Sequence, residues 1–219
     1  MNKLLAALSI SVLLLVGTVS HSKAFILNGD FSSGLTGWTI INNVTETSGE
    51  AILNDSNGIT ALYQGAALAA GNYTIEFDFL NQMSSSSLVH PFTFFDTFFA
   101  SLYYINDINT FNLTTLTFDG EAALFDMDHT GNFNVNGTIT ASSKGGSWEH
   151  FSTSFVNNFN YAIPTFELFE INFANGDSSL NIDNVEIAAN VAPIPEPSTL
   201  LLTAGGIIGF TYLRRRLKA

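Results

Sequence analysis

Tyr73-Thr74-Ile75-Glu76-Phe77-Asp78-Phe79 is the stretch that decides the fold class. Tyr73, Ile75, Phe77 and Phe79 alternate with Thr74, Glu76 and Asp78, so an extended chain here has one apolar and one polar side. Short runs rich in Phe, Ile, Val and Thr recur at Phe111 to Phe118, Ala122 to Met127, Phe133 to Thr140, Trp148 to Phe155 and Leu180 to Ile187. Phe166 to Phe173 is similar, with a phase slip at Leu168-Phe169. Turn signals separate the runs: Asn57-Gly58, Gly71-Asn72, Asp119-Gly120, Gly145-Gly146 and Asn175-Gly176. Asn136-Gly137 interrupts the Phe133 to Thr140 run and reads as a hairpin turn. The one helical candidate, Ala66 to Ala70, is too short to matter. Many short strands with this spacing predict an all-β sandwich or barrel. No fixed-period repeat is present, which disfavours a propeller or β-helix.

Charge divides the chain. Residues 25–190 carry eighteen acids and one base, Lys144, a net charge of −17, while the other six bases sit in the terminal segments. Nucleic-acid binding is excluded as a class, because phosphate neutralisation needs clustered Lys and Arg. Disorder is disfavoured by an aromatic content of 13%. The chain has no cysteine, so the fold cannot rely on disulfides.

The ends read as addresses. Residues 1–24 have a basic start at Lys3, an apolar run from Leu4 to Gly17, and Ser22-Lys23-Ala24 with small residues at −3 and −1, predicting a signal helix cleaved before Phe25. At the other end, Pro195-Glu196-Pro197 precedes a 15-residue apolar run, Thr199 to Leu213, and then Arg214, Arg215 and Arg216. That run is short against the ~20 residues a bilayer core requires, but a short transmembrane helix can thin the bilayer or snorkel its flanks. The basic cap would stay cytoplasmic and leave the acidic domain outside. This arrangement resembles the PEP-CTERM sorting domain of Gram-negative bacteria. The resemblance implies processing near Pro195-Glu196-Pro197 by an exosortase, a membrane-embedded cysteine protease. It also implies transient membrane anchoring through the C-terminal helix, release to the cell surface or exterior, and an association with exopolysaccharide and biofilm. The domain plan is therefore 1–24 signal peptide, 25–190 β-sandwich and 191–219 sorting segment.

Four stretches of the middle carry a second resemblance. Leu27-Asn28-Gly29-Asp30-Phe31 with Gly37-Trp38, then Ala70 to Phe77, Ser147 to Phe155 and Leu180 to Ile187 are similar, in order, to segments of carbohydrate-binding-module-like jelly rolls of the galactose-binding-like superfamily. The resemblance implies a jelly-roll β-sandwich with first and last strands together. It also implies glycan as a ligand, and a structural calcium with Asp30 and Asp183 among its metal ligands. Calcium needs six to eight oxygens, and the alternative is turn and edge carboxylates without metal. Leu180 and Ile182 are out of phase with Val185 and Ile187, which predicts a β-bulge at Asp183-Asn184 that re-aims the carboxylate.

Other constellations are weaker. Asp126-Met127-Asp128-His129-Thr130-Gly131 matches a calcium loop only in part, since its twelfth position is Gly137, and reads as a polar turn. His90, His129 and His150 lack zinc-ligand spacing, which disfavours a zinc enzyme. Trp38 and Trp148 match positions that usually pack the sandwich in those jelly rolls, so the resemblance implies core, with sugar stacking as the alternative. Segment 92–104 holds seven aromatics in thirteen residues and reads as a strand buried on both faces, with an exposed aromatic patch as the alternative. No G-x-S-x-G, P-loop or dinucleotide fingerprint occurs. The reading is an exported, non-enzymatic surface or matrix protein without catalytic residues. Its alternatives are a polysaccharide-modifying enzyme using paired carboxylates and a structural matrix protein without a specific ligand.

Overall fold

The computed structural model describes residues 25–190 apart from 57, 86–87, 90–92 and 172–176. Residues 1–24, expected to be a signal peptide, and residues 191–219, with the apolar run expected to span the membrane, Pro195, Glu196, Pro197 and Arg214, Arg215, Arg216, lie outside the described residues, as do His90, Phe92 and the Asn175-Gly176 turn.

The strands in chain order are β1 (Thr39–Ile41), β2 (Val44–Thr47), β3 (Glu50–Asn54), β4 (Ile59–Tyr63), β5 (Ala66–Ala67), β6 (Gly71–Gln82), β7 (Leu88–Val89), β8 (Thr93–Phe94), β9 (Thr97–Ile105), β10 (Gly120–Asp128), β11 (Gly131–Phe133), β12 (Thr138–Ala141), β13 (Glu149–Asn157), β14 (Tyr161–Phe169) and β15 (Ser179–Ala189). Two antiparallel sheets form. The first runs β1-β4-β14-β9-β10-β11, with β5 also on β14, and the second runs β12-β13-β6-β15-β3-β2. β7 and β8 make a separate short ribbon. The expected all-β architecture is what forms.

The alternation of 73–79 sits at the centre of the second sheet, where β6 lies between β13 and β15. Tyr73, Ile75, Phe77 and Phe79 are all buried in the main core. Phe77 meets the rings of Phe125 and Phe166 from the first sheet at 6.0 and 4.9 Å, and those of Phe79 and Phe151 from its own sheet at 6.2 and 5.2 Å. The two sheets are therefore joined through aromatic packing, in tilted, stacked and edge-on geometries that suit ring quadrupoles.

The early and late parts of the chain lie together. β15 pairs with β3, and Val185 donates its N–H to Gly29 O at 2.9 Å. The phase slip read at Asp183-Asn184 is a bulge. The β6–β15 register passes from Asp183↔Asp78 to Glu186↔Glu76, with one extra residue on β15, and Asn184 takes φ 52°.

From Thr97 onward the Phe-rich run is a central strand, while Thr93 and Phe94 belong to the separate β7–β8 ribbon. β9 lies between β14 and β10, with Phe98, Ala100, Leu102 and Tyr104 in the main core. Its other face enters a second, smaller core, where Tyr103 and Ile105 join Ala61 and Ile163 under Leu113, Phe111 and Phe118 of the β9–β10 connection. Pro164, in the middle of β14, sits opposite the break between β4 and β5, where the neighbouring ladder is already interrupted.

Three expectations are corrected. Asn136-Gly137 is not a hairpin turn. β11 pairs with β10 and β12 with β13, so residues 134–137 carry the chain from one sheet to the other. Gly137 is needed for close approach, since a Cβ there would lie 2.7 Å from the Phe151 ring. Ala66 to Ala70 begins as strand β5, not a helix. Trp38 is buried in the core, but Trp148 is only half-buried and lies under the Lys144 ammonium, 3.9 Å from its ring centroid.

Truncating Phe77 to Ala should cost about 3–5 kcal/mol in urea denaturation of the purified protein, while Val156→Thr, at an exposed site, should change stability by less than about 0.5 kcal/mol. Equal effects would contradict the placement of Phe77 at the sheet interface.

Candidate functional site

The outer face of the first sheet offers a strip of aromatic and carboxylate side chains. β9 and β14 place Phe99 and Glu167 side by side in register, and β10 adds Asp126 next to Phe99. Phe169 packs edge-on against Phe99 at 5.1 Å. Phe133 of β11 continues the row and is exposed. Partly exposed rings beside carboxylates are what a hydroxylated ligand needs, an apolar platform with acceptors at its edge.

Glu167 is the unusual member. It is 5% exposed and accepts a hydrogen bond from the Tyr103 hydroxyl at 3.2 Å. Burial pushes its carboxyl up to about 7, the Tyr103 bond opposes this, and Glu121 reinforces it. Tyr103 is held as a phenol by burial and by the neighbouring Glu167 and Glu121 carboxylates. Ser101 donates to Glu121 at 3.5 Å. Sequence reading missed this group. Its only trace was one acid between Phe166 and Leu168, which strand alternation sends to the face opposite the main core.

On the outer face of the second sheet, Asp183 and Asp78 stand opposite each other in register, both buried. Like charges so placed repel, and each has its own compensation. Lys144 bonds to Asp183 and also reaches Glu50 at 2.9 Å. Burial alone would lower the Lys144 pKa, but Asp183 and Glu50 outweigh it and raise it. Asp78 accepts from Asn184 Nδ2 at 2.7 Å and pairs with His150 at 2.9 Å. Burial favours its neutral form, yet the bonds from Asn184, His150 and Ser142 hold it below its ordinary value.

The two carboxylates expected to share calcium have different partners. Asp30 is exposed and accepts from Ser32 N and Oγ at 3.3 and 3.0 Å, whereas Asp183 is engaged by an ammonium and by Asn184 N at 2.7 Å. Asp55, Asp96 and Asp177 do converge, one oxygen of each within 4.8 Å of the others, a set that could hold a metal ion. Ser178 ties it together, donating from Oγ to Asp96 at 2.7 Å and from N to Asp55 at 3.2 Å. In the Asp126 to Gly131 stretch, Asp126 to Asp128 end β10 and His129-Thr130 form the turn into β11, with Asp128 accepting from Thr130 N at 2.6 Å.

The C-terminal segment matches the family profile described as the PEP-CTERM protein-sorting motif over residues 193–216. The chain carries a PEP-CTERM sorting motif. The motif marks an exported protein sorted by an exosortase. It spans the Pro195-Glu196-Pro197 signature, the apolar run and the Arg cluster. No curated protein sequence matches the chain. Among solved structures, the chain is similar to the enzymatically active domain of bacteriophage CBA120 tailspike protein 4, at 13% identity and TM-score 0.44, over 76% of this chain and 21% of that one. The Emp47p carbohydrate recognition domain is similar at 12% identity and TM-score 0.46, over 71% and 90% of the two chains. The C-terminal family 22 carbohydrate-binding module of Clostridium thermocellum Xyn10B is similar at 11% identity and TM-score 0.42, over 76% and 94%. Likenesses at this level transfer no residue role to this chain.

Two measurements test the electrostatics. Glu167 has a folded pKa of about 7 against 4.5 ordinarily, so its contribution is full below pH 4.5 and is lost as pH rises through 7. The stability difference between wild type and Glu167→Gln should therefore shift against wild type across that window, by up to about 3 kcal/mol. A flat difference would mean that Glu167 is solvated. Lys144→Met should destabilise by about 2 kcal/mol, between an exposed and a buried pair, and Asp183→Asn in the same chain should restore part of the loss. Thermal denaturation reads both.

Proposed function

We propose that the folded domain is a non-enzymatic jelly-roll binding module at the cell surface or in the extracellular matrix, and that it associates with neutral exopolysaccharide of a biofilm. The sorting motif at 193–216 carries the reading, because it sends an acidic sandwich to the compartment where such polymers lie. In the precursor, the segment 199–213 holds the inner membrane until the exosortase acts. A domain with eighteen acids and one base repels polyanions, which leaves neutral glycans and cations as its natural ligands. The strip around Phe99, Phe169 and Asp126 is the surface we assign to glycan contact, with Glu167 at its floor.

A second reading, a polysaccharide-modifying enzyme, is favoured by one observation. Glu167 is buried against the Tyr103 hydroxyl, where burial and the nearby Glu121 push its carboxyl up, as a general acid with a second carboxylate requires. A structural matrix protein without a specific ligand is the third.

Co-sedimentation of the purified protein with the producing organism's exopolysaccharide separates them. Binding that falls about tenfold in the Phe99→Ala, Phe169→Ala double variant supports the module. Release of soluble sugar that is abolished in Glu167→Gln supports the enzyme, and no binding supports the structural role. A calcium held through Asp30 and Asp183 would have to displace Lys144. Calcium should therefore raise the melting temperature of wild type more than that of Asp183→Asn if those residues bind it.

A further inference from the structure

His150 lies on β13 with its side chain on the outer face of the second sheet, across from Asp78 of β6. Its Nδ1 is 2.9 Å from Asp78 Oδ1, and its Nε2 is 3.9 Å from Glu76 Oε2. The Asp78 side chain is 5% exposed, that of His150 33% and that of Glu76 42%. The three groups therefore run from a buried anchor to an open edge.

The anchor is built. Asp78 Oδ2 accepts from Asn184, which is turned toward it at the β15 bulge, in the left-handed region at φ 52°. Asp78 Oδ1 pairs with the imidazole, and Ser142 bonds to the same carboxylate. An ionised carboxylate only accepts, so in the neutral ring the proton sits on Nδ1 and the lone pair on Nε2. A histidine whose far nitrogen is fixed by a carboxylate, with its free nitrogen presented to solvent, is the usual arrangement of a metal-ligating imidazole. Glu76 supplies an oxygen beside that nitrogen. Glu186, the register partner of Glu76 on β15, adds a second carboxylate on the same face. Two bonds of about 2.0–2.2 Å span 3.9 Å only at a wide angle, and a closure of roughly half an ångström by Glu76 brings the pair to tetrahedral spacing.

We propose that His150 Nε2 and Glu76 form a surface site for a borderline divalent transition metal such as zinc, with Asp78 as its positioning residue. Nitrogen donation separates it from a calcium site, which takes oxygen alone. Water fills the remaining positions. The histidine spacings in the sequence hide the site because its ligands come from different strands that meet only through β6–β13 pairing.

Zinc chloride titrated into the purified full-length protein, followed by isothermal titration calorimetry and by 15N-histidine NMR, tests it. We expect saturable binding with a shift of the His150 Nε2 resonance, and no displacement by excess calcium. His150→Gln should abolish the binding. Asp78→Asn should weaken it about 10–100-fold, the usual effect of losing such a partner. Glu76→Gln, at an exposed position that leaves the fold intact, should weaken it about tenfold without moving the melting temperature of the metal-free protein. Binding by His150→Gln equal to wild type, unchanged affinity in Asp78→Asn or Glu76→Gln, displacement by calcium, or no saturable binding in wild type would each overturn the proposal.

Discussion

Phe77 is the point on which the two sheets close. Its ring touches aromatic neighbours from β6, β10, β13 and β14, so four strands from both sheets share one packing site. The chain has no disulfide to fall back on and one base among residues 25–190. Stability therefore rests on apolar burial, and the largest fully buried side chains are chiefly phenylalanines. Everything on the outer faces, including the candidate strip and the carboxylate network, is positioned by this layer.

The charge imbalance shapes the rest. Buried carboxylates normally require a positive partner. Here Lys144 serves Asp183 and Glu50, and the others are held largely by hydrogen-bond donors. Asp96 accepts from Ile171 N and Ser178 Oγ, Asp78 from Asn184, and Glu167 from Tyr103. Glu167 has the thinnest support and responds by moving toward its neutral form. The same imbalance leaves residues 25–190 strongly acidic, with Lys144 as their one base.

The parts legible in the sequence were those with a local cause. The alternation at 73–79 placed four residues in the core because strand geometry leaves no other option. The slip between Ile182 and Val185 read as a bulge for the same reason, and the structure has one there. The parts that misled depended on partners. Asn136-Gly137 has hairpin composition, but β12 pairs with β13 and not with β11, so the turn became a crossing between sheets. The jelly-roll resemblance implied that Trp148 is core, yet it is half-buried with the Lys144 ammonium over its ring. Asp183 lies beside the expected bulge, but its partner is a lysine from a distant loop.

By itself, the sequence determined the fold class, the split between an acidic domain and basic ends, and the sorting motif, because periodicity, composition and short contiguous motifs are local properties. Tertiary structure decided which carboxylates lie under which donors. It placed Glu167 against Tyr103, Lys144 on Asp183 and Glu50, and His150 between Asp78 and Glu76. Each of these contacts joins residues far apart in the chain, and only strand pairing and the packing of connecting loops bring them within bonding distance.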